Sequence, residues 1–130
     1  MNVGTYRELF HYVAFPVFAV SQKGILIYKN LACSKYLPQI YNSRSIKNKI
    51  YPKFPEGSGT VRILGWSAYS VALVLKDEDH WLFLCFSRFQ YTDGMFVANK
   101  LLQEWGDDLL GFLGTFRQQI SLSENLLIAK

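Results

Sequence analysis

Only two cysteines, Cys33 and Cys85, occur in the 130 residues. That is too few for a disulfide scaffold. Both sit among apolar or helix-forming neighbours, so reduced thiols in a cytoplasmic protein are expected. Long apolar runs are also lacking. The longest, Val13–Val20, is interrupted by Pro16, whereas crossing a bilayer needs about 20 apolar residues. The first residues carry no basic flank and no apolar stretch ending at a small-residue cleavage site, so no secretory signal is expected. Charge is scarce at 18%, against 50% hydrophobic and 16% aromatic residues. That balance excludes disorder, collagen-like repeats and a heptad-only coiled coil, and the length suits one domain.

Acids are absent between Glu8 and Glu56, where seven bases fall: Lys23, Lys29, Lys35, Arg44, Lys47, Lys49 and Lys53. Beyond that point acids outnumber bases, and the net charge is +4. A basic face over Arg44, Lys47, Lys49 and Lys53 offers a nucleic-acid or anionic-ligand reading. The bases are scattered and lack an interleaved aromatic platform, so a solvated face is preferred and no nucleic acid is expected.

Thr5 followed by Glu8 suits a capping box and predicts a helix over 5–14, with Leu9, Phe10 and Val13 as its apolar stripe and Pro16 as its end. Two short apolar runs, Val17–Val20 and Ile25–Tyr28, flank Ser21-Gln22-Lys23-Gly24 and predict a β-hairpin. Asn30 is placed to cap a short helix over Leu31–Leu37, with Pro38 as its stop. A further short helix is expected near Ser43–Ile50. Three strands follow: Thr60–Trp66, Ala68–Leu75 and His80–Phe89, the last two joined by the charged turn Lys76-Asp77-Glu78-Asp79. In the final strand Trp81, Phe83 and Cys85 alternate with Leu82, Leu84 and Phe86. A strand apolar on both faces is covered on both sides, and the terminal helices are the candidates to cover it.

From Asp93 a long C-terminal helix is predicted. Leu102, Trp105, Leu109, Phe112 and Phe116 recur at three- and four-residue spacings, the pattern of a helix–helix seam. The same stripe would also suit a helix packed on its own sheet. Gly106, Gly111 and Gly114 each weaken the helix by roughly 1 kcal/mol relative to alanine, and a bend or restart is expected near Gly106-Asp107. No glycine or proline stop precedes Lys130, so the helix is expected to continue into an output domain.

The order helix, hairpin, helical crossing, three strands, long helix resembles a PAS domain. So does the local sequence Gly24-Ile25-Leu26-Ile27-Tyr28-Lys29-Asn30-Leu31-Ala32 with Tyr36-Leu37 after it, preceded by Phe15-Pro16-Val17-Phe18-Ala19-Val20. The likeness covers about residues 15–92. Pro38 stands where the family often has glycine, and Phe89-Gln90-Tyr91-Thr92 replaces its usual aspartate-isoleucine-threonine ending. The resemblance implies an α+β fold: a five-stranded antiparallel sheet with helices on one face, an N-terminal helix and a long C-terminal helix. It also puts the first hairpin at the centre of the sheet. Residues 1–92 would be the sensor domain and 93–130 the dimerisation and signalling helix, ahead of a bacterial histidine kinase. A longin- or profilin-like trafficking domain is a weaker likeness.

No catalytic site is expected. His11 and His80 lack the acidic neighbour of a phosphoacceptor, and Gly57-Ser58-Gly59 lacks a phosphate-binding lysine and helix start. Cys33 and His80 could act together only if the fold joined them. His11, Cys33, His80 and Cys85 are dispersed, so no metal is expected. Among PAS cofactors, flavin chemistry needs a reactive cysteine beside arginine, and haem needs a histidine in the crossing. Cys33 follows Ala32 without an arginine, and residues 30–59 hold no histidine, so no cofactor is expected. What remains is an apolar cleft between the sheet and the crossing helices. Its expected lining is Tyr69, Val71, Leu73, Leu82, Leu84 and Phe86, with Tyr28 and Asn30 near the mouth. It would be filled by its own side chains or by a small apolar or anionic ligand. A homodimer is expected through the seam after Asp93.

Overall fold

A computed structural model describes residues 2–46, 50–51, 59–63, 69, 71–77, 79–86, 100, 103, 108 and 110–118, with only backbone and strand pairing for 50–51, 59–63 and 71. The first element, α1 (Val3–Phe10), begins one turn earlier than the Thr5 box predicts. Asn2 is the cap: its side-chain oxygen accepts the Thr5 N–H at 3.0 Å and the Thr5 hydroxyl at 3.2 Å. Glu8 is exposed. The helix also stops at Phe10, well before Pro16, because its last carbonyls are taken from outside. Asn30 donates to the Phe10 carbonyl and the Leu31 N–H donates to that of His11, satisfying acceptors that the helix end leaves open.

The hairpin forms as expected from β1 (Val17–Ser21) and β2 (Leu26–Lys29), with Gly24 at φ 82° in the turn. The pairing skips Ile27, a bulge on the edge strand. Asn30 then caps α2 (Leu31–Tyr36). Pro38 does more than stop it. Leu37, held out of the helical region before proline, ends α2, and Pro38 opens α3 (Pro38–Tyr41) as its first residue. No helix follows over 43–46. That segment runs along the hairpin instead: Ser45 bridges Ile25, the Leu26 N–H donates to the Arg44 carbonyl, and the Ile46 N–H donates to that of Gly24. Ile50–Tyr51, expected as the helix end and its follower, forms β3.

The remaining strands are β4 (Gly59–Ile63), β5 (Val71–Asp77) and β6 (His80–Phe86). Expected strand residues 64–66, 68, 70 and 87–89 lie outside the described residues. β5 extends to Asp77, which pairs with His80, so Lys76 and Asp77 belong to the strand rather than the turn. All pairings are antiparallel, in the order β2-β1-β6-β5-β4-β3. Among the described residues the sheet thus has six strands rather than the expected five, and the hairpin sits at one edge instead of the centre.

Each face of the sheet carries its own core, so the helices are not confined to one side. On one face Val17, Ala19, Leu73, Leu75, Leu82, Leu84 and Phe86 meet Tyr6 and Phe10 of α1 and Phe112, Leu113 and Phe116 of a C-terminal helix, α4 (110–118). On the other, Phe18, Val20, Ala72, Val74, Trp81, Phe83 and Cys85 meet Cys33, Leu37, Ile40 and Ile46 from the crossing. Phe18 and Phe83, cross-strand partners, stack at 4.6 Å. Asp108 starts α4 afresh: its carboxylate accepts the Gly111 N–H at 3.0 Å, the geometry of an N-cap. A restart thus lies at Asp108, while the expected start at Asp93 lies outside the described residues. Among the described residues no helix is long and apolar enough to cross a membrane.

Candidate functional site

Asn30 is fully buried where α1, β1 and α2 converge. Its Oδ1 accepts the N–H groups of Val17 (3.0 Å) and Cys33 (3.2 Å), and its Nδ2 donates to the carbonyls of Phe10 (2.8 Å) and Phe15 (3.0 Å). Those four bonds use the whole capacity of a carboxamide. Asn30 therefore has nothing left for a ligand and does not stand at a pocket mouth.

The expected cleft residues lie on the opposite face from the one assigned to them. Tyr28, Leu73, Leu82, Leu84 and Phe86 are buried beneath the terminal helices, not against the crossing helices. Period-two alternation groups these side chains correctly but does not say which helices cover the group. Tyr69 packs at the margin of both cores, its ring 4.6 Å from that of Tyr36. Val71 is described only by its pairing with Phe86 and Arg62.

A polar cluster missed in the sequence closes the other end of that core. The Tyr6 hydroxyl donates to Asp77 Oδ2 at 2.9 Å and lies 2.6 Å from His80 Nε2. His80 Nδ1 lies 3.1 Å from Asp79 Oδ1. Burial raises the Asp77 carboxyl, but hydrogen bonding, that of Tyr6 included, and the His80 side chain outweigh it and hold it below the ordinary aspartate value. The hydrogen bond with His80 lowers Asp79. Tyr6 is fully buried, so the cluster fastens α1 to the β5–β6 turn. Tyr6 sits four residues before Phe10, a spacing from which its inward position could have been read.

Neither thiol is poised for chemistry. Burial pushes Cys33 up to about 12 and Cys85 well above its ordinary value, and the Cys33 Sγ–H donates to the Val17 carbonyl at 3.4 Å. His80 packs in the other core, so the two do not form a pair. Among the described residues no group of three His, Cys, Asp or Glu could hold a metal.

Two seam residues have a different job from the expected one. Phe112 and Phe116 are buried against the chain's own sheet and are not available to a partner. Leu102, Trp105 and Leu109 lie outside the described residues, as do Lys47, Lys49 and Lys53 of the basic segment. Of its remaining bases Arg44 is exposed, and nearby Lys29 donates to the Tyr41 carbonyl at 2.6 Å with its ammonium 4.1 Å from the Tyr41 ring centroid.

Two open depressions accompany these features. One, of about 230 Å³, lies beside α2 around Val13, Leu31, Lys35 and Tyr36. The other, of about 280 Å³, lies between α1 and the edge strand β2. No family model and no curated protein matches the chain.

Proposed function

We propose that this chain is a non-catalytic sensory and dimerisation module of the PAS type, from a bacterial signalling protein such as a histidine kinase. In this reading it works in the cytoplasm and passes a signal through its C-terminal helix. The observation that carries the reading is the docking of both terminal helices on one sheet face. Phe116 meets Phe15 and Phe86 edge-on, at 6.3 and 5.8 Å, and stacks with Phe112 at 5.7 Å. Arg117 donates to the Leu9 carbonyl at 3.3 Å. A close-packed core switches between arrangements rather than bending smoothly, so a shift of α1 carries α4 with it. The order of elements, from capping helix through hairpin and crossing to strands and exit helix, supports the same reading. The hairpin at the edge of the sheet departs from the central position that the resemblance implied, so strand order does not favour this reading over a longin- or profilin-like sheet.

Dimerisation falls in this reading to Leu102, Trp105 and Leu109. Sedimentation of the full chain is expected to give a dimer that Trp105→Asp dissociates while the far-UV spectrum is kept. A wild-type monomer at millimolar concentration overturns that half. Transmission is tested by amide exchange: Arg117→Ala is expected to speed exchange in α1 and α4 together. Faster exchange in α4 alone rejects the coupling.

A further inference from the structure

We propose that the depression between α1 and β2 binds a small organic anion, a carboxylate on an apolar body. The inference is independent of the sensory reading. Val3 and Arg7 of α1 and its C-cap His11 line the depression at four-residue spacing, and Leu26, Ile27, Tyr28 and Lys29 line it from the edge strand. Its charged lining residues, Arg7 and Lys29, are both basic. The amine of Lys29 gives one of its three donors to Tyr41.

Two of these lining residues carry a buried polar atom with no hydrogen-bond partner among the described residues: the Tyr28 hydroxyl and His11 Nδ1. Tyr28 is only 6% exposed, and a native fold rarely leaves such a group unpaired. Both are held in place by other contacts. The Tyr28 ring packs 6.1 Å from that of Tyr6, and the His11 carbonyl takes the Leu31 N–H. One water could answer one of these atoms, but a water fills only about 30 Å³, and the depression holds about 280 Å³. A carboxylate beside the two cations, Arg7 and Lys29, answers them once a side-chain shift opens them, accepting from the phenol and, where Nδ1 carries the proton, from the imidazole. The apolar remainder meets Val3, Leu26 and Ile27. Burial raises the Tyr28 phenol, with the Arg7 charge pulling partly the other way, so the hydroxyl stays a donor.

The test is calorimetric titration of the full chain with benzoate and hexanoate, set against neutral benzamide and inorganic phosphate. Saturable carboxylate binding is expected, at least tenfold tighter than either control. Arg7→Gln and Tyr28→Phe are each expected to weaken it about tenfold. Tyr28→Phe is also expected to leave the unliganded melting temperature unchanged or higher, since the hydroxyl has no bond among the described residues. Failure of both carboxylates to bind overturns the proposal. So does equal binding of benzamide, binding of phosphate alone, or binding indifferent to both substitutions.

Discussion

Tyr6 and His80 are 74 positions apart in sequence, yet the hydroxyl of one lies 2.6 Å from Nε2 of the other inside the core. Tyr6→Phe removes that bond and the one to Asp77 while keeping the ring in place. Losing one partner of a buried polar pair costs about 1–3 kcal/mol. Urea unfolding is expected to show a loss in that range with an unchanged m-value.

Asp77 carries the acid dependence of the same contact. Its folded value lies below the ordinary aspartate value, so the stability it contributes is complete above the unfolded pKa of about 3.9. That contribution is lost as pH falls through the folded value. The stability gap between wild type and Asp77→Asn is expected to be largest near neutrality and to close as the pH falls through the folded value. A gap independent of pH would refute the assignment.

Asn30 should tolerate neither of its nearest replacements. Asn30→Ala removes the side-chain partner of two N–H groups and two carbonyls, of which the Cys33 N–H and the Phe10 carbonyl keep a backbone bond, for a loss of roughly 2–4 kcal/mol. Asn30→Asp keeps the acceptor but turns a carboxylate toward the Phe10 and Phe15 carbonyls. That raises the new acid's pKa in the folded state. Stability of Asn30→Asp relative to wild type should therefore improve as pH falls, when the protonated acid can donate again. Denaturation curves at pH ~4 and ~7 check the sign.

Phe112→Ala tests whether α4 belongs to the core. A buried phenylalanine truncated to alanine costs about 3–5 kcal/mol. The variant is expected to lose that much by urea unfolding at any protein concentration. A loss that vanishes on dilution would return Phe112 to a subunit contact.

Gly114 points the other way. A Cβ built there meets nothing within 4 Å, and it lies inside α4. Gly114→Ala should raise stability by about 0.5–1 kcal/mol, read as a higher melting temperature.

Local signals were legible where one residue type meets one geometric need. Gly24 takes positive φ in the hairpin, Asn30 caps α2, and the two-sided apolar pattern of β6 marks a central strand. Signals failed where a distant partner decides. Thr5 looks like a cap, but Asn2 reaches its N–H first. The 43–46 segment has weak helical periodicity, and its pairing with Ile25 and Leu26 wins. Phe112 and Phe116 have the spacing of a seam, and a sheet face uses that spacing equally well. The Tyr28 hydroxyl, without a partner among the described residues, had no sequence signal, because its state depends on which neighbours the fold brings to it.

The placement of β6 also sets an order on biogenesis. The inner edge of β1 pairs only with β6, from Val17 opposite Leu84 to Ser21 opposite His80. A nascent chain released before His80 therefore holds two part-sheets, each with a bare apolar margin. Such margins recruit other chains. The ribosome must deliver the last strand before the first can be sealed, and truncations upstream of His80 should collect in inclusion bodies.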